Sequence, residues 1–580
     1  MITLSVLVTF CNQEQFIRRT LDGIIRQKLD CEYEVLIGLD GRKEKSLEII
    51  GEYTSKYDFI KVYETDYAGL DCINIVKAAG NRLNLLKHAE GKFFTILDGD
   101  DYYGDDHRLQ KLLDVLAREP KCIGCGSGHM CVYDDGHTQE NKADEFTVYT
   151  LRRYIAARKY VHNGAIVFRN IFYYGFPKNF PYNFVNDTTL TMYMLKFGNL
   201  ACIPEASYMY QIGKDGIYQG QDDLLKILYG AVGAEINLQY LPEYREHLLS
   251  RYQSVFWNLY KKREKYNFKS RELDRIYNFA KQNNCRMVRA ILAFASGGRL
   301  FRPYWKRRCK KIMEKQEYAG KRPVHTLGVW QGVSNFGDMM NLYVGRYVYD
   351  WCFVPDMKNV DLWCIGSLLS RVFTSSAAGK VTLAGVGMHG AVEVPDDFSS
   401  LLKVESVRGG GTLGCLKQFC NVKNDVVLAD PAILVRKMVK KAAPERKYTG
   451  VIPHHSDWNS EFLQNIKTEN IKIIDVRENP VQVIREIREC RCILSSSLHG
   501  LIFADALGIP CRWVLFSDKV PGGAMKFEDY YSVYGLKPSA IDLRQQVIGD
   551  KDIENIIRNY VSVEKQMDEQ CKKLLKIKID

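Results

Sequence analysis

No run of about 18 apolar residues occurs in the 580-residue sequence, so no segment is long and apolar enough to span a membrane as a helix. There is no low-complexity tract and no short repeat of the kind that builds solenoids. The 17 cysteines are scattered, as at Cys31, Cys202, Cys309 and Cys420, and make no paired CxxC sets. Met1 runs straight into a strand-like segment rather than a secretory leader. Free thiols in a reducing cytoplasm are therefore expected, not a disulfide framework. None of the recognised nucleic-acid-binding motifs is present, which argues against nucleic acid as a partner despite a net charge of +12. What remains is ordinary soluble-protein composition, 46% hydrophobic and 26% charged, in a chain too long for one core.

Three textures follow one another. Up to about residue 220, strand-like segments (Leu4–Thr9, Tyr33–Leu39, Lys92–Leu97, Gly164–Phe168) alternate with amphipathic helices. Residues 221–320 are helical, aromatic and basic, and Arg302, Lys306, Arg307, Arg308, Lys310 and Lys311 gather around Tyr304 and Trp305. That cluster reads either as a solvated helix face or as a contact with anionic lipid on the inner face of the plasma membrane. From residue 321 to 545 strands return in Val324–Trp330, Val360–Ile365, Val381–Val386, Asp425–Leu428, Gly450–Pro453, Ile471–Val476, Cys492–Ser495 and Arg512–Phe516. Helices between them imply parallel βαβ units. Residues 546–580 carry a helical period. The expected class is α/β, in two catalytic-sized bodies with a helical connector.

In the first body, Ile96-Leu97-Asp98-Gly99-Asp100-Asp101-Tyr102 is a strand ending in three carboxylates. Such a cluster calls for a positive charge, and a hard divalent cation bridging a diphosphate is one candidate. An acidic turn after a strand is the plain alternative. The surrounding motifs are Ser5 to Ile17 with Leu21 and Gln27, Glu34 to Asp40, Gly80-Asn81-Arg82, and Gly91-Lys92 leading into Asp98. In order and spacing they resemble the GT-A family-2 glycosyltransferases over residues 1–220. The resemblance implies a Rossmann-like nucleotide-diphospho-sugar fold and an inverting, metal-dependent transfer. It places Thr9, Glu14, Asp40 and Asn81 in the nucleotide-sugar pocket, and Asp98 and Asp100 on Mg2+ or Mn2+ and the diphosphate. Asp187, in Asn186-Asp187, becomes the general base, with an N-cap to the following helix as its rival role. His162 and Tyr208–Gln211 resemble positions near the acceptor, although a lone histidine there also suits a structural place. Leu39 before Asp40, and Gly41-Arg42-Lys43-Glu44 after it, depart from the family pattern, so a UDP-sugar is only the default donor.

In the last body, Gln331 to Asp338 lies between a strand and a helix, and Ser495-Ser496-Ser497-Leu498-His499-Gly500 repeats the device. Glycines and helix starts suit an anion, while a ligand-free strand–turn–helix is the plain reading. Further marks are Ile365 to Leu369, Gly385-Val386-Gly387, Val407-Arg408-Gly409, Asp430-Pro431, Ile452-Pro453-His454, Ala504-Asp505-Ala506 and Lys526 to Tyr531. Together they resemble the polysaccharide pyruvyltransferase family, which transfers the enolpyruvyl unit of phosphoenolpyruvate to two hydroxyls of one sugar. The resemblance implies two Rossmann-like halves in a GT-B-like pair. His499 and His454 are the candidate acid–base groups. Arg408, Asn335, Asp338, Ser496 and Ser497 are the candidate groups for donor and acceptor, with a surface salt bridge as the bland role for Arg408. Some members carry Arg where this chain has Ser497. Lys403, Lys526 or Arg512 could then supply the missing cation.

The combined expectation is a bifunctional enzyme of capsular or exopolysaccharide biosynthesis acting on a lipid-linked oligosaccharide. Two alternatives keep the first activity and make the last body a non-catalytic carbohydrate-binding module or a second, GT-B-type glycosyltransferase.

Overall fold

A computed structural model describes residues 2–11, 13–40, 44–65, 74–157, 161–177, 180–181, 185–213, 223–248, 271–286, 288–289, 292, 324–390, 392, 394–395, 398–439 and 444–579. The chain divides into two compact units, Met1–Tyr173 with Phe180–Arg322, and Tyr174–Asn179 with Pro323–Asp580.

In the first unit β1 (Leu4–Phe10), β2 (Tyr33–Asp40), β3 (Ile60–Thr65) and β4 (Phe93–Asp98) are parallel, in the order β3-β2-β1-β4. β1 and β2 are buried over nearly their whole length, because Glu14–Ile25 connects them, Asn74–His88 packs against both, and strands covered on both faces must be apolar throughout. Beyond β4 the sheet continues with β9 (Ile166–Arg169), β6 (Cys122–Tyr133), β10 (Asn199–Ile212) and β5 (Tyr102–Tyr103). The short strands β7 (Thr138–Asn141) and β8 (Thr147–Tyr149) pair with β6 and β10. β9 runs antiparallel to both its neighbours. Strand order reverses at β1, and an open α/β sheet leaves a crevice at such a switch point, outside the carboxyl ends of its strands. Thr9, Asp40 and Asp98 all stand at that edge.

Within the expected connector, helices Asp223–Tyr240 and Arg271–Gln282 bury Leu228, Val232, Ile276 and Ala280 against one another. The basic cluster from Arg302 to Lys311 lies outside the described residues. Among the described residues no helix is long and apolar enough to cross a membrane.

The second unit holds two parallel sheets. One has the order β12-β11-β13-β14-β15-β16, from β11 (His325–Gly328), β12 (Phe353–Asp356), β13 (Leu362–Trp363), β14 (Val381–Ala384), β15 (Leu402–Val407) and β16 (Val427–Leu428). The other has the order β19-β17-β20-β21-β22, from β17 (Tyr448–Ile452), β19 (Ile471–Ile473), β20 (Cys490–Ser495), β21 (Cys511–Leu515) and β22 (Ile541–Asp542). A two-residue pair joins β18 (Ile466–Lys467) to β23 (Ile548–Gly549). Each sheet has its own core, around Trp363, Leu383 and Val407 in the first and Val451, Leu494 and Val514 in the second. The fold is thus mixed α/β throughout, with two Rossmann-like halves at the rear. The terminal helices Asp550–Arg558 and Glu564–Leu574 bury Ile553, Met567 and Cys571.

Candidate functional sites

The front site is organised by one buried arginine. Thr9 and Asp98 face each other across β1 and β4, and Thr9 Oγ1 donates to Asp98 Oδ1 at 3.1 Å. Arg82 Nη2 donates to both oxygens of Asp98, at 2.8 and 2.9 Å, while Nη1 lies 3.0 Å from Asp187 Oδ1. The guanidinium therefore ties the last residue of β4 to the first residue of helix Asp187–Met194. Burial opposes the charge on Asp98, but Arg82 outweighs it and holds the carboxyl below its ordinary range. The helix is capped by Asn186, whose side chain accepts from the Thr189 N–H at 2.8 Å. Asp187 is thus not the N-cap, and its carboxylate, 41% exposed, meets Arg82 and solvent.

The three carboxylates of the acidic turn have three environments. Asp100 is pushed up to about 6, first by burial and then by the negative charge of Asp98. Asp101 is fully buried and receives the Tyr208 hydroxyl and the Gln211 N–H, the latter at 2.8 Å, so it fastens the turn to β10. Arg19 Nη2 holds the Asp100 carbonyl at 2.7 Å and its guanidinium lies 4.3 Å over the Tyr102 ring.

The expected nucleotide residues line the same edge. Asn81 donates to the Gly38 carbonyl at 2.9 Å, Asp40 accepts from Cys11 Sγ at 3.7 Å, and Glu14 opens the first helix. The departing residues Gly41, Arg42 and Lys43 lie outside the described residues. His162 stacks on Tyr208 with centroids 5.1 Å apart and accepts from the Gly164 N–H at 3.3 Å; burial lowers its pKa.

Among the described residues no three His, Cys, Asp or Glu side chains form a metal cage. The donor set nevertheless fits a Mg2+ or Mn2+ held by one or two carboxylates, because such ions take their other ligands from diphosphate and water. Asp98 already serves Arg82 and Thr9, which leaves Asp100 as the more available oxygen ligand.

The rear site lies where loops leave the two parallel sheets. Asn335 caps helix Phe336–Tyr343 by accepting from the Gly337 N–H at 2.9 Å, so this side chain orders the loop. Asn335→Ala is expected to cost about 1 kcal/mol in urea unfolding. Gly337 brings the helix against His499: a Cβ there would fall 1.9 Å from the ring nitrogen Nδ1. Imidazole Nε2 of His499 is buried with no hydrogen-bond partner among the described residues. Burial, then Arg408 and Lys526, lower His499 to about 3. His454 falls likewise to about 3, through burial and then Lys526, with the His455 ring 4.1 Å away. Both rings are therefore neutral near pH 7 in the ligand-free protein.

Asp338 lies in the same cluster. Burial first, then the charge of Asp430, push it up to about 7 against the pull of Lys526. Ser496 Oγ donates to Asp457 at 2.6 Å and accepts from the His454 N–H at 2.9 Å, joining the two histidine loops. Ser497 precedes helix Leu498–Ala506 without capping it through its side chain.

Arg408 is neither at the surface nor free. Its Nε donates to Asp529 at 2.9 Å, Nη1 to Ser367 Oγ at 2.7 Å and Nη2 to the Met388 carbonyl. Gly387 makes room for it, since a Cβ there would meet the guanidinium carbon at 2.2 Å. Asp529 also accepts from Thr412 N and Oγ1, at 2.8 and 2.7 Å. The pair is only 1% exposed on either side. Removing one partner of a buried pair strands the other charge, so Asp529→Ala is expected to lose about 3–5 kcal/mol of stability in urea unfolding.

Sequence reasoning assigned no role to Arg82, Asp457, Ser367 or Asp529. Arg82 was visible, directly after Asn81. The others lie apart in sequence from what they hold, and only the fold brings them there.

Residues 5–176 match the family model for glycosyl transferase family 2, and residues 400–517 match that for polysaccharide pyruvyl transferase. Among curated relatives, the uncharacterized protein L143 of Acanthamoeba polyphaga mimivirus is 37% identical over 137 residues, covering 23% of this chain and 48% of its own length. The succinoglycan biosynthesis protein ExoV of Rhizobium meliloti is 26% identical over 215 residues, 35% of this chain and 62% of its own. The chain thus spans less than two thirds of the length of either. A solved structure of S. aureus TarS residues 1–349 aligns at a TM-score of 0.34 and 16% identity, over 55% of this chain and 92% of that one.

Proposed function

Since the chain joins a glycosyl transferase family 2 domain to a polysaccharide pyruvyl transferase domain, both transferases, we propose that it is a bifunctional enzyme of capsular or exopolysaccharide assembly. The front domain, residues 1–220, transfers a sugar from a nucleotide sugar, by default a UDP-sugar, to a glycan on a lipid-linked carrier. The rear domain, residues 321–545, adds pyruvate from phosphoenolpyruvate to a sugar as a ketal. Residues 221–320 connect them, and 546–580 close the rear domain. The break between compact units after residue 322 supports this division.

The front reading is carried by the Arg82 bridge between Asp98 and Asp187 at the carboxyl edge of the sheet. Thr9, Glu14, Asp40 and Asn81 take the nucleotide sugar. Asp98 and Asp100 would hold Mg2+ or Mn2+, Asp100 the more directly, and the ion would offset charge on the departing nucleoside diphosphate. Asp187, paired with Arg82 and open to solvent, removes the proton from the acceptor hydroxyl for an inverting displacement.

The rear reading is carried by His499, a buried imidazole whose Nε2 has no partner among the described residues, set among cations and a protonatable Asp338. Ketal formation requires one sugar hydroxyl to add to C2 of the enol phosphate while a proton reaches the methylene carbon. The second hydroxyl then replaces phosphate at C2. Each hydroxyl gives up a proton, one retained as the new methyl hydrogen and one carried off with phosphate. Neutral His499 accepts a hydroxyl proton, and His454 is the second shuttle. Ser496 and Ser497 supply polar contacts at the helix start, Asn335 orders the loop, and Asp338 meets a sugar hydroxyl. Arg408, held by Asp529, orders the wall of the cleft through Ser367 and the Met388 carbonyl. Incubating the full chain with phosphoenolpyruvate and a galactoside and assaying phosphate tests the rear reading, and thermal shifts with a panel of nucleotide sugars test the front one. No phosphate release, or no shift with any nucleotide sugar, rejects the corresponding half.

A further inference from the structure

Lys526 is the second residue of helix Met525–Tyr531, and its side chain is only 6% exposed. It makes no hydrogen bond or ion pair among the described residues; the Phe527 ring, 5.4 Å from Nζ, is its neighbour in the chain. Its charge is nevertheless felt by His454, His455 and His499 on one side and by Asp338 on the other. A largely buried ammonium with no direct ion-pair partner is costly, and a fold keeps one only where something repays the desolvation.

The position is rigidly set. Asp529, one turn along, is locked to Arg408 and Thr412. Tyr530 and Tyr531 donate to Asp505 at 3.2 and 3.1 Å, and Phe527 stacks on Trp513 with centroids 4.3 Å apart. The helix therefore cannot roll Lys526 out to solvent without breaking contacts on both sheets. The carboxylates of Asp457 and Asp338 favour its charge from a distance, but neither forms an ion pair with it among the described residues. Asp457 is engaged by the Ser496 and Ser517 hydroxyls, and Asp338 is held towards its neutral form.

The other cations are engaged elsewhere. Arg408 has its three nitrogens on Asp529, Ser367 and Met388. Lys403 pairs with Glu405 at 3.1 Å, and Arg512 donates to Ser539 at 2.7 Å.

Resting on the reading of this cleft as a phosphoenolpyruvate site, we propose that Lys526 is the cation that binds the donor anion. The bound anion completes the ion pair that the free protein leaves open. Burial, then Arg408, bring the ammonium down to about 8, in keeping with a charge that awaits its partner.

The test is calorimetric titration of phosphoenolpyruvate into the full chain carrying Lys526→Met or Lys526→Arg. Met keeps the length and apolar stem and removes the charge, and it is expected to weaken binding about 10- to 100-fold, the worth of a charged hydrogen bond. Arg restores the charge and is expected to recover most of the affinity. Because an unpaired buried charge is removed, Lys526→Met should unfold at a temperature no lower than the parent, which separates lost binding from lost fold. Wild-type affinity in Lys526→Met overturns the proposal, and so does equal loss in Lys526→Arg and Lys526→Met. A parent chain that does not bind phosphoenolpyruvate at all overturns the reading of the cleft itself.

Discussion

His499→Gln is expected to lower phosphate release from phosphoenolpyruvate by about 10²- to 10⁴-fold while sugar transfer by the same preparation stays at the parent rate. The magnitude is that of losing a positioned general acid or base. Glutamine keeps a polar group of similar reach against Gly337, so packing survives better than with alanine, but it cannot accept and return a proton. The pH profile adds a second check. His499 is held near 3 in the free protein, so kcat/KM for phosphoenolpyruvate should show no imidazole limb between pH 5 and 7. It should instead fall above about pH 8, where Lys526 gives up its proton. The linked effect on stability has the opposite sense. Lys526 has a folded pKa depressed from 10.5, so the unfolded chain binds the extra proton between about 8 and 10.5, and this group's contribution to stability improves as pH rises through that window. A residual phosphate release in His499→Gln within a few-fold of the parent, or loss of sugar transfer with it, contradicts the assignment.

How much of this could be read from the residues differs by element. The apolar runs of β1, β2 and β4 gave strands to within a residue or two, since parallel strands buried on both faces leave a continuous signal. β9 begins two residues later than the run from Gly164 because Asn163–Ala165 form a 3-10 turn under the His162 cap. β12 passed unnoticed for a clear reason: Pro355 interrupts it, and proline is tolerated there because β12 is an edge strand. β15, Leu402–Val407, alternates charged and apolar residues and is half-exposed over its first four, so it lacks the buried-strand signature. The site was legible as residue types and not as pairings. Asp98, Asp187, His454 and His499 were named from motif position. That Arg82 bridges two of those carboxylates, and that Asp529 neutralises Arg408 from 121 residues away, are long-range facts that no local pattern encodes. The same holds for the choice among Lys403, Lys526 and Arg512: composition offers three equal cations, and burial separates one.

Asp100→Asn is expected to lower kcat/KM for sugar transfer by about 10²- to 10³-fold, with phosphate release at the rear site unchanged. The side chain keeps its volume and its reach but loses the negative charge that a divalent cation and a diphosphate require between them. Since burial and Asp98 raise this carboxyl to about 6 in the cation-free protein, affinity for Mn2+ should weaken as pH falls below about 6, where Asp100 takes up a proton that competes with the cation. The variant, having no such proton to take up, should not show that pH dependence in its residual Mn2+ binding. Asp98→Asn is expected to behave differently, because its carboxylate is the counter-ion of Arg82. Losing it leaves a buried guanidinium half-paired, with Asp187 alone to hold it, so a drop in thermal stability should accompany the loss of activity. Binding of Mn2+ to the purified chain in the presence of UDP, followed by electron paramagnetic resonance, separates the two roles without recourse to turnover. Weak Mn2+ binding in Asp100→Asn with an unchanged melting temperature is the expected pattern. Full Mn2+ affinity in that variant would remove Asp100 from the cation and leave the acidic turn a structural bend.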